Sequence, residues 1–254
     1  MFNKAPLKAR TKAPFSGGKG GYQSDRSVSH FMEIKYLQVG PIGTNCYLLC
    51  DEKAHVCAIV DPGGEARRIA DAVRSTGCKP VVILLTHGHY DHTGGVAELR
   101  ELWPDMPAYI NRKDTALWGA PASIFPPLRN TTHYGEGDTV TVGGLTVSVM
   151  ETPGHSAGSV TLRCNDALFC GDTLFAGDCG RTDLYGGSME AMLDSLRRLG
   201  ELEGDLLVLP GHEETSTLDR ERQNNPWVRR ALMNIAGSGR ETQSSPIYHE
   251  HLTL

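Results

Sequence analysis

The chain of 254 residues reads as an α/β protein, because its short strands fall into two groups and each group is followed by helical segments. A second observation is positional: residues suited to ligating metal follow directly on strand-like apolar runs. The length is the third, since it suffices for one large domain with a substantial buried core and requires no second domain.

In the first group, Ile34 to Val39, Tyr47 to Cys50, Ala58 to Val60 and Val81 to Leu85 have the apolar, β-branched content of strands, and Glu65 to Ser75 has the spacing of an amphipathic helix. A helix is also expected from about Gly95 to Leu102. Starting where Asp91 and His92 lie, it would turn its positive end toward anionic groups there. In the second group, Thr139 to Val142 and Leu145 to Met150 form a hairpin across Gly143-Gly144, and Val160 to Arg163 pairs with Ala167 to Cys170 around Asn165-Asp166. Ser188 to Leu199 is a helix with Met189, Met192, Leu193 and Leu196 on one face, so these methionines belong to the core. Leu206 to Leu209 is read as the last strand.

Val81 to Leu85 runs straight into Thr86-His87-Gly88-His89-Tyr90-Asp91-His92, which packs three imidazoles and a carboxylate into six positions. Imidazole nitrogen and carboxylate oxygen are ligands that borderline divalent metals accept, and a short loop containing glycine can turn alternate side chains toward one point. His155 lies in Thr152-Pro153-Gly154-His155-Ser156, Asp172 in Phe169-Cys170-Gly171-Asp172-Thr173, and His212 in Leu209-Pro210-Gly211-His212-Glu213. Strand ends in a layered sheet protein form one rim, so these segments can converge on a rigid scaffold. Two ligand sets follow: His87, His89 and His155 for one ion, and Asp91, His92 and His212 for another, with Asp172 bridging.

Taken in order, His-x-His-x-Asp-His, Thr-Pro-Gly-His, Gly-Asp-Thr and Pro-Gly-His resemble the motifs of the metallo-β-lactamase superfamily over about Glu33 to Trp227. Within it the chain is most similar to the type II glyoxalases, or hydroxyacylglutathione hydrolases, of the small single-domain bacterial branch. That closer resemblance rests on Gly40-Pro41-Ile42-Gly43-Thr44-Asn45-Cys46-Tyr47-Leu48, Val60-Asp61-Pro62-Gly63-Gly64, Gly180-Arg181-Thr182-Asp183-Leu184 and Asn225-Pro226-Trp227. It implies a four-layer αββα sandwich and a binuclear metallo-hydrolase acting on a small thioester such as S-lactoylglutathione. The cofactor it implies is two divalent metal ions, zinc foremost, with iron or manganese as alternatives.

The chemistry follows from charge. Two dications offset by Asp91, Asp172 and a bridging hydroxide retain net positive charge, and such a site lowers the pKa of bound water from 15.7 to roughly 7 while polarising a carbonyl. Hydroxide can then attack a thioester whose thiolate leaves readily. Asp91 is the catalytic candidate, orienting that hydroxide. Asp61, Thr86, Ser156 and Thr173 are expected around the ligands; for Asp61 the alternative is a turn carboxylate before Pro62-Gly63. Arg181 stands where two-domain type II glyoxalases carry a glutathione-binding basic residue, and it is assigned either to substrate binding or to an ion pair with Asp183. Trp118 to Pro127 is an apolar, proline-rich loop that lines the substrate mouth or simply packs. His30, His55, His133, His249 and His251 read as surface residues.

Some features limit the assignment. Two-domain relatives have a tyrosine two residues after the last histidine, where this chain has Glu214, and then a helical domain with further basic residues for glutathione, whereas here 42 residues follow His212 and those from Gly237 read as a polar tail. A mononuclear iron persulfide dioxygenase shares Gly180-Arg181-Thr182-Asp183, and its discriminator is the complete second set Asp91, His92 and His212. A β-lactam, ester or lactone hydrolase and a non-catalytic scaffold are further alternatives, the last opposed by the full set of ligands.

The 7 cysteines include no Cys-x-x-Cys pair and fall mostly in strand patterns, which suits packed, reduced thiols and a cytoplasmic protein. Cys179 is read as a bystander near the site. Residues 1–31 carry six basic residues against Asp25 and a Gly-rich stretch, and they read as a disordered extension, with a transit peptide as the alternative. Residues 32–236 form the hydrolase domain and 237–254 a polar tail. The body is acidic and has no basic stripe, so nucleic acid is not an expected partner. No apolar run is long enough for a membrane span. Oligomeric state is left open.

Overall fold

The computed structural model describes residues 32–115 and 119–237. The extension expected over residues 1–31 lies outside them, as do Trp118 of the proline-rich loop, His30, His249 and His251, and all of the expected tail after Gly237.

The first half contains β1 (Met32–Val39), β2 (Thr44–Asp51), β3 (Val56–Val60), α1 (Ala66–Thr76), β4 (Lys79–Leu84), α2 (Tyr90–Thr93), α3 (Val96–Leu102), β5 (Ala108–Asn111) and β6 (Thr131–Tyr134). Its six strands form one sheet in sequential order, antiparallel through β1, β2 and β3 and parallel from β3 to β6. The second half contains β7 (Thr139–Val142), β8 (Leu145–Glu151), β9 (Val160–Cys164), β10 (Ala167–Gly171), β11 (Leu174–Phe175), β12 (Asp178–Cys179), α4 (Met189–Gly200), β13 (Leu207–Pro210), β14 (Ser216–Thr217), α5 (Leu218–Asn224) and α6 (Pro226–Gly237). Its main sheet has the order β14-β13-β10-β9-β8-β7, with β10 and β13 parallel.

Burial shows how the layers stack. Tyr47, Leu49, Val60 and Leu84 of the first sheet share one core with Val147, Leu162, Phe169 and Leu209 of the second. The opposite face of the first sheet, including Leu48, Ile59 and Ile83, packs on Ile69 and Val73 of α1 and Leu99 of α3. The opposite face of the second, including Leu168 and Val208, packs on Met192 and Leu196 of α4, Leu218 of α5 and Val228 of α6. Because both faces of the central strands are covered, β2 is buried along its whole length and lacks the alternation of a half-exposed strand. The layers are therefore helix, sheet, sheet, helix, which is the expected αββα sandwich.

Both hairpins of the second half form as expected. The helix expected from Gly95 does not begin at Asp91 and His92. Those residues occupy the separate short turn α2, and Gly94 and Gly95 press against the backbone of Pro62 and Gly63, with Gly95 N donating to Pro62 O at 2.7 Å. The positive end of α3 thus faces the Pro62 carbonyl rather than the ligands. Leu207–Pro210 is not the last strand either, since Ser216–Thr217 pairs with it antiparallel. The sequence reading also lacks β5 and β6, each four residues long, and the helices α5 and α6.

Candidate metal centre

Each proposed ligand sits past a strand end on the same rim. His87 and His89 follow β4, Asp91 and His92 lie on α2, His155 follows β8, Asp172 follows β10 and His212 follows β13. The fold brings all of them together as three overlapping groups: His87, His89 and His155; His87, His92 and Asp172; Asp91, His92 and His212. His155 Nε2 lies 2.8 Å from His89 Nδ1, and His212 Nε2 lies 3.1 Å from Asp91 Oδ2. Asp172 stands between the two expected sets. Its Oδ1 is 3.4 Å from His92 Nε2, while its Oδ2 is 3.4 Å from His155 Nε2 and 3.5 Å from His212 Nε2.

The surrounding hydrogen bonds select the imidazole tautomers. Asp61 accepts from Thr86 N at 2.8 Å and from Thr86 Oγ1 at 2.6 Å, and its Oδ2 lies 3.0 Å from His92 Nδ1. A carboxylate can only accept, so His92 Nδ1 is the donor to Asp61 and the ring turns Nε2 toward the cluster. Thr86 has spent its only hydroxyl proton on Asp61, so its oxygen accepts from His87 Nδ1 at 3.1 Å. His155 Nδ1 donates to the Arg181 carbonyl at 2.8 Å. Three histidines therefore present Nε2 to the same small volume. His87 Nε2 is buried and has no hydrogen-bond partner among the described residues. A buried lone pair of this kind is costly unless an ion or a proton meets it, so the donor set fits divalent metal.

Electrostatics agree. Burial holds the His87 pKa well below the ordinary imidazole value, and burial with neighbouring His155 brings His89 down to about 4, so both rings are neutral at pH 7. Burial also opposes charge on His92 and His212, but it is outweighed: Asp172 and Asp61 raise His92, and the Asp91 hydrogen bond together with Asp172 raises His212. Asp91 and Asp172 are lowered despite burial, Asp91 chiefly by its bonds to His212 and His92 and Asp172 chiefly by the field of His92. The centre stabilises concentrated positive charge.

Tyr47 Oη and Asn45 Nδ2 both donate to Pro210 O, at 2.7 and 3.0 Å, and Asn45 N donates to Gly211 O at 2.7 Å. The motif near the start of the chain thus holds the His212 loop. Thr44 Oγ1 reaches Asp91 Oδ2 at 3.2 Å. Gly211 is required for a steric reason, since a Cβ there would lie 2.2 Å from Asp172 Oδ1. Ser156 and Thr173 are buried as expected, though they bond to Asp114 and Thr152 rather than to ligand rings. Asp114 lies beside the centre without having been legible in the sequence, because it belongs to no motif and follows a short strand.

Arg181 has a divided role. Its carbonyl orients His155, while its exposed guanidinium makes two bonds of 2.7 Å to Asp183. Phe125, from the proline-rich loop, is buried with its ring 4.7 Å from that of His89 and 6.2 Å from that of the half-exposed Tyr185. Burial pushes the Cys179 thiol up to about 12, which suits a bystander. All seven cysteines are free. His55 and His133 are exposed, as expected.

An αββα sandwich with this cluster on its rim defines a metal-dependent hydrolase. The Metallo-beta-lactamase superfamily is matched over residues 39–212, and the chain belongs to that superfamily. It is 38% identical over 210 residues to a probable metallo-hydrolase of Bacillus subtilis, YqgX, covering 78% of this chain and 98% of the relative. It is 41% identical over 169 residues to a hydroxyacylglutathione hydrolase of Hamiltonella defensa, covering 66% of this chain and 62% of that protein. Among solved structures, the B3 metallo-beta-lactamase BLEG-1 superimposes with a TM-score of 0.70 at 32% identity, covering 77% of this chain and 99% of the other. TTHA1623 in a di-iron-bound form gives 0.65 at 34%, covering 76% and 99%. No helix among the described residues is long and apolar enough to cross a membrane.

Proposed function

We propose that this chain is a binuclear thioester hydrolase acting on hydroxyacylglutathione-type substrates in the cytoplasm. The observation that carries the reading is Asp172, whose two oxygens face both triads, together with a complete second triad of Asp91, His92 and His212. Similarity to a hydroxyacylglutathione hydrolase supports the thioester class. His87, His89 and His155 would hold one ion and Asp91, His92 and His212 the other, with Asp172 shared. Zinc fits the nitrogen and oxygen donors, and the di-iron form of TTHA1623 keeps iron in view. Bound there, divalent ions supply Lewis acidity and acidify water toward neutrality.

The chain's own groups set the geometry of that chemistry. Asp91, fixed by Thr44 Oγ1, is the acceptor placed to orient a water proton. Asp61 accepts from His92 Nδ1 and so turns Nε2 toward the cluster. Arg181 meets a substrate carboxylate by exchanging Asp183 for it. A thiolate leaving group needs no general acid, so no further proton donor is required at the scissile bond.

The test is a side-by-side assay of the metal-loaded protein on S-lactoylglutathione, a β-lactam, and glutathione persulfide under oxygen. Two metal ions per chain and thioester hydrolysis without oxygen uptake are expected. One iron per chain with oxygen uptake and no hydrolysis would instead establish the persulfide dioxygenase reading.

A further inference from the structure

Asp114 is a buried carboxylate outside the ligand set that joins the two loops carrying the first histidine triad. It ends the short turn after β5 and is 3% exposed. Oδ2 accepts from Gly88 N at 2.9 Å and from Ser156 Oγ at 2.6 Å, while Oδ1 accepts from Gly158 N at 2.7 Å. Gly88 lies between His87 and His89, on the loop leaving the first sheet. Ser156 and Gly158 follow His155, on a loop of the second sheet. One side chain therefore spans the two sheets at the point where their histidines meet.

Its surroundings make the placement costly and specific. Burial raises the Asp114 pKa, opposed first by the Ser156 hydroxyl and then by the two backbone N–H groups. Those three donors include no cation, so hydrogen-bond geometry rather than ion pairing must hold the carboxylate there. The fit is close. A Cβ at Gly88 would stand 2.5 Å from Asp114 O and 2.9 Å from its Cβ, and one at Gly158 would stand 2.7 Å from the carboxylate. Movement of Asp114 would shift the backbone beside His89 and the loop beside His155, whose ligand nitrogens are 2.8 Å apart.

We propose that Asp114 is a positioning residue for the first metal triad: its three-donor clamp sets the distance between the His87-Gly88-His89 loop and His155. The proposal rests on reading the cluster as a two-metal centre. Asp114→Asn keeps size and shape but turns an amide NH2 toward at least one donor, so one clamp contact becomes repulsive. Ser156→Ala removes one of the three clamp donors, together with the 2.7 Å contact of that hydroxyl with Ser159 Oγ, and adds nothing.

The experiment is competitive titration of metal-stripped protein with zinc against a chromophoric chelator, read with metal per chain after dialysis and thermal melting of the stripped form. Wild type should bind two ions. Asp114→Asn should weaken one site by about 10- to 100-fold, the usual scale for groups that orient ligands, and leave the other unchanged; Ser156→Ala should weaken the same site by less. Wild-type affinity at both sites in both variants, with only a lower melting temperature, would overturn the clamp and leave a purely structural role. If Asp114→Asn does not fold, Ser156→Ala decides alone, since it must still separate the two binding steps. A wild-type protein that takes up fewer than two ions would instead undermine the two-metal reading itself.

Discussion

Asp61 at the end of β3 reaches His92 on α2, its Oδ2 lying 3.0 Å from His92 Nδ1 with both side chains buried. The same carboxylate receives two bonds from Thr86, and through that hydroxyl it also governs His87. Residues 61, 86, 87 and 92 thus form one unit in which a single acceptor fixes the orientation of two imidazoles.

Asp61→Asn tests that unit. The amide can still accept from Thr86 N, but its NH2 then faces His92 Nδ1 and favours the tautomer with the proton on Nε2, where it blocks ligation. Metal affinity should fall by about 10- to 100-fold with little change in overall secondary structure. Measured by chelator competition, wild-type affinity in this variant would show that Asp61 is only a turn carboxylate.

Asp172→Ala and His89→Ala should differ in which ions they lose. If Asp172 is shared between two ions, as proposed, its removal takes the anionic partner from both, so both sites should weaken. His89 belongs only to the group with His87 and His155, so its removal should leave the Asp91, His92 and His212 site occupied. Elemental analysis after dialysis should give near zero ions per chain for Asp172→Ala and one for His89→Ala. Two ions and full turnover in Asp172→Ala would refute the bridge.

Removing metal should lower stability. Buried Asp91 and Asp172 rely on nearby positive charge, and an ion that binds only the folded state at about 1,000 times its Kd contributes roughly 4 kcal/mol. Chelation should therefore lower Tm, and added zinc should restore it. An unchanged Tm would mean that the cluster binds metal weakly or not at all.

The convergence of the seven candidate ligands was legible because they are confined to four short motifs, each ending an apolar strand, and strand ends share a rim. Asp61 was legible only with a turn as its alternative, and its bonds with Thr86 and His92 favour a role beside the cluster. Asp114 was not, because an isolated aspartate carries no local signal and its partners are 26 to 44 residues away. In the fold, β6 was missed because Thr131-Thr132-His133-Tyr134 lacks apolar alternation: only Tyr134 is buried at this sheet edge. The start of α6 did carry a readable signal, since Pro226 stands at its first position, where proline is favoured. The helix expected from Gly95 to Leu102 forms as Val96–Leu102, but its positive end meets Pro62 because Gly94-Gly95 serves close backbone contact with Pro62 and Gly63, a tertiary constraint that local periodicity does not record.

Asn45 and Tyr47 both hold the His212 loop, but they should not be equivalent. Asn45 Nδ2 bonds Pro210 O and Glu213 O, each at 3.0 Å, so it grips the loop on both sides of His212. Glu213 has φ of 65°, a left-handed conformation that costs a non-glycine residue about 1 to 3 kcal/mol and persists only when neighbours enforce it. Asn45→Ala removes that enforcement and should let Glu213 relax, drawing His212 away from Asp91. Tyr47→Phe removes one bond to Pro210 O, which still accepts from Asn45, so it should cost only about 1 kcal/mol. Chelator competition on the two variants should show a weakened second metal site in Asn45→Ala and near-normal affinity in Tyr47→Phe. If the two variants bind metal alike, the loop is held by its backbone bonds, Asn45 N to Gly211 O foremost, and the side-chain grip on Glu213 has no part in placing His212.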